Sequence, residues 1–283
     1  MKSLKILLVL LFIAGTSYAQ KNAYIIYKYD GTEVTYEQML RTLARQKVVL
    51  FGELHNNAIA HWLQYEVTAD LHKKRDLILG AEMFEADNQK PLSDYVRGRI
   101  NYKELDSLAR LWSNTRTDYL PLVKFAKANK LDFIATNIPR RYARMVHRKG
   151  FDVLETLTPQ EKSWMAPLPM PFDSNLPTYK SIIKMMGDHG SPKLVMAQAC
   201  KDATMAHFIA KNYKEGALFI HYNGAFHSDY YEGILWYLQK EMSGNRFATI
   251  STVEQEDIYT LEEKHLDKAD YIICVDKDVT KTY

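Results

Sequence analysis

Two short stretches of the chain share a pattern that can do chemistry. Gly52-Glu53-Leu54-His55 and Gly224-Ala225-Phe226-His227 each place a histidine three residues after a glycine, directly behind an apolar run. A glycine at the end of a strand lets the backbone turn sharply, and a histidine three residues on then falls in the first turn of the next helix, pointing back over the sheet edge. Together with Glu53 and Glu82, His55 and His227 make a nitrogen and oxygen set suited to a divalent metal. The same four residues suit acid–base work on a bound molecule, where an imidazole titrates near neutrality beside a carboxylate. One such motif is often only a helix cap; two of them, each after an apolar strand, point to function.

Further polar residues fall at similar places. Pro139 precedes Arg140, Arg141 and Arg144, so a helix opening here gathers guanidinium groups and free backbone donors that can hold a carboxylate or phosphate, with Arg140 the strongest candidate. Asp202 reads as the cap of another helix. Tyr179, Met185, Met186, His189 and Tyr222 offer phenol, thioether and imidazole ligands. Cys200 and Cys274 each end an apolar run; a disulfide between them and two buried thiols are both compatible with the spacing.

The elements that must position these groups alternate along the chain. Apolar runs at Val48 to Phe51, Leu77 to Ala81, Leu131 to Ala135, Leu194 to Ala197, Ala217 to Ile220, Ala248 to Val253 and Tyr271 to Val275 read as strands. Helices are expected over Glu33 to Gln46, Thr117 to Lys130, Arg140 to Lys149, Asp202 to Tyr213 and Ser228 to Met242. Between the first two strands, Ile59, Trp62, Leu63, Val67 and Leu71 form a helical stripe for the sheet, leaving His61, Tyr65, Thr68 and His72 opposite. This alternation predicts an α/β fold on a mostly parallel sheet flanked by helices. Five of the strands run straight into acids, amides or histidines, and in open parallel sheets the carboxyl ends of the strands line one ligand crevice.

One segment breaks the rhythm. Five of the nine prolines lie between positions 159 and 178, with Trp164, Met165, Met170 and Phe172 among them, which excludes continuous sheet or helix. Such an apolar, proline-rich stretch reads as a small helical lid over about 151–193 rather than as a tether.

The chain starts with Lys2 and Lys5, an apolar run from Ile6 to Ala14, and Ser17 and Ala19 before Gln20, which reads as a signal peptide over residues 1–19 and an exported chain of residues 20–283. The apolar run is too short to span a membrane, and no cysteine at the cleavage point invites a lipid. Loss of the two leader lysines takes the net charge from +3 to +1, with acids and bases mixed, so nucleic acid is not an expected partner. At 47% apolar and 25% charged residues the chain matches a globular protein, which excludes disordered, collagen-like and coiled-coil classes.

Taken together, Gly52-Glu53-Leu54-His55, Gly80-Ala81-Glu82-Met83-Phe84, Asn137-Ile138-Pro139-Arg140, Gln198 with Asp202-Ala203-Thr204-Met205-Ala206, and Asn223-Gly224-Ala225-Phe226-His227 resemble the haem-binding uptake proteins of the ChaN type in the Tiki superfamily, across about positions 40–240. The resemblance implies one parallel-sheet domain with a lid, export to the periplasm, and ferric haem held at the lid beside the sheet edge. Candidate partners are then haem, a second copy of the chain and an outer-membrane haem receptor. Tyr179 is the expected iron ligand, His189 a further ligand candidate, and Arg140 or Arg144 the expected propionate partner. The wider superfamily includes metal-dependent hydrolases, which gives the alternative: His55, His227, Glu53 and Glu82 bind a divalent metal and activate water while Arg140 orients an anionic group.

Overall fold

The computed structural model describes residues 21–242, 244 and 246–283, so the leader expected over 1–19 lies outside the described residues. Eight strands form one sheet: β1 (Tyr24–Lys28), β2 (Glu33–Val34), β3 (Val48–Glu53), β4 (Leu77–Glu85), β5 (Asp132–Asn137), β6 (Leu218–Gly224), β7 (Phe247–Gln255) and β8 (Tyr271–Asp276). Their order is β2-β1-β8-β7-β3-β6-β4-β5. All neighbours from β8 to β5 are parallel, and only β1 pairs antiparallel, with β2 and β8.

The helices are α1 (Tyr36–Leu43), α2 (Ala58–His72), α3 (Gln89–Val96), α4 (Tyr102–Leu108), α5 (Leu120–Asn129), α6 (Arg140–Lys149), α7 (Pro159–Lys162), α8 (Pro177–Met185), α9 (Pro192–Asn212) and α10 (Ile234–Glu241). Strand side chains alternate between faces, and the sequence obeys that period. Val49, Phe51, Leu79 and Ile220 share a core with Leu43 of α1, Leu63 and Val67 of α2, and Val123 of α5. Their neighbours Val48, Leu50, Ile78 and Phe219 pack on the opposite face with Val146 of α6, Cys200 and Ala206 of α9, and Leu238 of α10. Both faces of the central strands are therefore covered, which is why these strands read as unbroken apolar runs.

Three expectations need correction. Leu194 to Ala197 is not a strand but the start of α9: Ser191 caps the helix by accepting from the Leu194 N–H, Pro192 occupies the first turn, and the alanines that follow favour a helix. A four-residue apolar run does not distinguish the two states. Four of the five expected strands therefore feed the polar edge, and a helix supplies the remaining residues. On α2 the buried side takes in His61, Gln64 and Thr68, while Trp62 stands 49% exposed. Ser228 to Met242 is helical by α-geometry only over α10, after two short 3-10 turns.

The proline-rich stretch packs inward. Met165, Ala166 and Met170 join the α6–α9–α10 core, and Phe151 and Phe172 pack with Tyr179 against Val195 and Ala199 of α9. Cys200 and Cys274 are buried free thiols in separate core clusters.

At the end of β3 the backbone of Gly52 is tightly approached: a Cβ there would lie 2.7 Å from the Ile250 carbonyl oxygen and 3.0 Å from Ala225 Cα. Neither neighbour is a side chain that can swing aside. Gly52→Ala is expected to cost about 1–3 kcal/mol, read as a lower urea midpoint with an unchanged slope. An unchanged midpoint would show that β3 and β7 can part at no cost.

Candidate functional site

The carboxyl ends of β3, β4 and β6 bring their acids and histidines together. Glu53, the last residue of β3, is buried, and its Oε1 accepts from His55 Nδ1 at 2.9 Å and from the Tyr119 hydroxyl at 2.8 Å. Its Oε2 accepts from Gln64 Nε2 at 2.5 Å, with His61 Nδ1 3.4 Å away. His61 and Gln64 thus account for the polar side of α2 that faces the sheet. The imidazole of His55 lies in the turn before α2 rather than in the helix, and its side chain is 35% exposed.

Glu82 sits within β4, one of the buried residues of that strand, and not in the loop after it. One of its oxygens accepts from the Gly224 N–H at 2.8 Å and the other lies 3.1 Å from His227 Nε2. The second nitrogen of His227 is 2.5 Å from Asp202 Oδ1 on α9. Asp202 Oδ2 in turn accepts from the Tyr179 hydroxyl at 2.9 Å, and the Gln198 amide lies 3.0 Å from the His227 ring. Gly224 is where the two halves meet: a Cβ at this position would stand 2.8 Å from His55 Nε2 and 3.5 Å from Glu82 Oε2. A side chain there would displace the His55 ring.

Charge alternates along this array. Burial works against a charged His227, but Glu82 and Asp202 outweigh it and push its pKa up to about 9. Burial likewise opposes ionisation of Glu82, yet the His227 and His55 charges hold its carboxyl well below the usual range. His55 is raised as well: burial lowers it, and the Glu53 hydrogen bond with the Glu82 and Glu53 charges more than compensates. His221, by contrast, is kept neutral by burial, its pKa lowered to about 4, and it is held by Thr136 and Asn223.

Beside His55 opens a cavity of about 660 Å³ lined by Trp112, Asn114, Arg140, Arg144 and Tyr283 among others. The Trp112 ring packs edge-on against the His55 ring at 5.0 Å between centroids, and the Asn114 amide donates to the His55 carbonyl at 3.4 Å. Arg140 and Arg144 come from the first turns of α6, whose start has no side-chain cap.

Glu53, His55, Glu82 and His227, selected from the sequence, do converge. Among the described residues no group of three or more His, Cys, Asp and Glu is arranged to hold a metal ion. The physical reason is visible: both nitrogens of His227 already face carboxylates, and His55 Nδ1 is taken by Glu53. Arg140 and Arg144 reach the cavity as a pair. Tyr179 does not reach an open face: it is buried against α9, and burial with the Asp202 charge drives its hydroxyl far above the ordinary phenol range. His189 is exposed in the 3-10 turn after α8. Asp202, expected at the polar edge and as a helix cap, does reach the site but from within α9, whose cap is Ser191, while His61, Gln64, Tyr119, Trp112 and Asn114 entered the site without a functional reading from the sequence. For His61 and Gln64 a signal existed, since polar residues at i and i+3 on a helix that packs on a sheet need partners inside.

The family described as haem-binding uptake, Tiki superfamily, ChaN matches residues 39–238. No curated protein matches the chain. A solved structure described as cofacial haem binding to ChaN of Campylobacter jejuni superposes with a TM-score of 0.67 at 17% identity, over 88% of this chain and 96% of that one. An erythromycin esterase, EreC, in its open conformation gives 0.52 at 11% identity over 91% and 99%. A Bacillus cereus protein gives 0.51 at 12% over 88% and 93%. At these identities the likeness is one of fold.

The proton on His227 has a consequence for stability. Its folded pKa of about 9 exceeds the model-compound value of 6.5, so the folded state holds more protons between these limits and its stabilisation, complete below 6.5, is lost as pH rises through about 9. Glu82 acts at the other end, its contribution present above 4.5 and lost on acidification. Urea midpoints measured from pH 6 to pH 9.5 are expected to fall, and His227→Gln to flatten that slope while costing about 3–5 kcal/mol near neutrality. A wild-type midpoint independent of pH over this window would contradict the assignment.

Proposed function

The chain belongs to the haem-binding uptake proteins of the ChaN type in the Tiki superfamily, and on that premise we propose that it is an exported protein that holds ferric haem on its lid, beside the sheet edge, during iron acquisition. The observation that carries the assignment of the place is the end of α8 and the turn after it. Met185 is 61% and Met186 44% exposed, with exposed His189 three residues beyond. Adjacent exposed methionines on a surface otherwise built to bury them favour an apolar partner. Imidazole and thioether are both ligands of haem iron, so these residues fit the group.

The choice of iron ligand follows from what is already engaged. Tyr179 would have to ionise to bind ferric iron, and burial with the neighbouring Asp202 opposes that. His189 is therefore the proposed ligand, with Met185 and Met186 covering the porphyrin. A second copy of the chain closing over the same face would shield the haem from water, and an outer-membrane receptor would be its source. Export rests on the leader pattern of residues 1–19; among the described residues no helix is long and apolar enough to cross a membrane.

A second reading is favoured by one observation that haem on the lid leaves unexplained, the buried array from Glu53 to Asp202. Hydrolysis at that edge would use His55, held by Glu53 and with its pKa raised by the Glu53 hydrogen bond and the Glu82 charge, as the acid, with Arg140 orienting an anionic group. A metal on His55 and His227 would first have to displace the proton that His227 shares with Glu82 and Asp202.

Absorbance titration of residues 20–283 with ferric haem tests the lid assignment. A saturable Soret transition is expected, weakened on the order of tenfold or more by His189→Ala and left intact by Tyr179→Phe. Loss of the transition in Tyr179→Phe with no effect of His189→Ala would return the ligand to Tyr179.

A further inference from the structure

The cavity beside His55 has a charge imbalance that haem on the lid does not use. Four arginines surround it. Arg110 is matched by Glu85 and Asp87, and Arg141 by Asp87 at 2.7 Å. Two carboxylates thus answer two guanidinium groups. Among the described residues nothing pairs with Arg140 or Arg144. These two stand four residues apart on α6 and so project from one face.

Two further features point the same way. The first turn of α6 carries no side-chain cap on its backbone donors, so the positive end of the helix dipole adds to the two free guanidinium groups at the same cavity. Trp112 and the 65% exposed Tyr283 line the same space, giving flat apolar surface next to the cationic end. A cavity of about 660 Å³ lies within the range that holds an ordinary small molecule. The free cations select an oxyanion, the aromatic side chains select a flat body, and Trp112 sets that body toward the partly exposed ring of His55.

We propose that this cavity is the binding site of a small organic oxyanion, a flat or aromatic body carrying a carboxylate or phosphate, with the anionic group held by Arg140 and Arg144 and the body lying along Trp112 toward His55. The inference deepens the second reading by naming the ligand class of the sheet edge, and it does not depend on haem at the lid. Bidentate guanidinium bonding to a planar or tetrahedral oxyanion supplies affinity and fixes which end of the molecule faces His55.

The test uses residues 20–283 and three probes: phenyl phosphate, benzoate and inorganic phosphate, followed by calorimetry and by quenching of tryptophan fluorescence. Saturable binding of phenyl phosphate or benzoate is expected, severalfold tighter than inorganic phosphate and weaker at high salt. The paired substitution Arg140→Gln with Arg144→Gln should weaken it at least tenfold, since each lost charge-assisted bond removes on the order of a tenfold factor. Arg148→Gln, an exposed residue of the same helix outside the cavity, should leave it unchanged. Which of the two aromatic probes binds tighter identifies the oxyanion. Absence of saturable binding by all three probes, or binding that survives the paired substitution, overturns the proposal. A haem titration of the same paired variant separates this site from the lid: an unaltered Soret transition leaves both standing, whereas joint loss of haem and phenyl phosphate keeps the oxyanion site and removes the lid assignment.

Discussion

The proton held by His227 between Glu82 and Asp202 is the interaction on which the rest of the site depends. Two carboxylates buried in a protein interior carry a large desolvation cost; the imidazolium 3.1 Å from Glu82 outweighs it there, whereas at Asp202, 2.5 Å away, burial still pushes the carboxyl up. The three residues come from β4, from the turn after β6 and from α9, so one proton ties two strands to the helix that covers them. Without it, Glu82 would lose the partner that keeps it charged, and His55 would lose part of the charge that raises its pKa.

From that point the array reaches two surfaces. On one side Glu53 holds His55 against Trp112, which lines the arginine-rich cavity. On the other, Asp202 accepts from Tyr179, and Glu232, shortly after His227, accepts from the backbone N–H of Thr178 at 2.8 Å and also takes its hydroxyl. The first turn of α8 is therefore fastened to the same charged centre through Tyr179 and Asp202. Haem proposed at the far end of α8 and an oxyanion proposed beside Arg140 would occupy separate places on either side of this array. A parallel sheet makes this economical, because its carboxyl ends deliver their loops to one edge.

Much of this was legible in the sequence where a residue's role is local. The helix Arg140–Lys149 begins where Pro139 places it, and the glycines at 52 and 224 mark the turns that present His55 and His227. Convergence of Glu53, Glu82 and the two histidines followed from strands that end in polar residues. What the sequence hid is what depends on partners far along the chain. Leu194 to Ala197 has the composition of a strand, and only the cap at Ser191 and the helix it starts assign it to α9. Tyr179 has the chemistry of a ferric ligand, but its partner Asp202 lies 23 residues away and holds it inside. The polar residues of α2 looked like a solvent face because Glu53, which they serve, sits on another element. β1, paired antiparallel between β2 and β8, was not anticipated at all.

The most direct test of this account is the state of the His227 ring itself, read from its nitrogen chemical shifts in protein labelled with nitrogen-15 at histidine, with His227→Gln to identify the signals. The account predicts that both ring nitrogens carry protons at pH 7.5 and that the ring gives up its charge only near pH 9. A neutral ring with one bare nitrogen at pH 7.5, titrating near 6.5, would contradict it and remove the interaction from which the site is built.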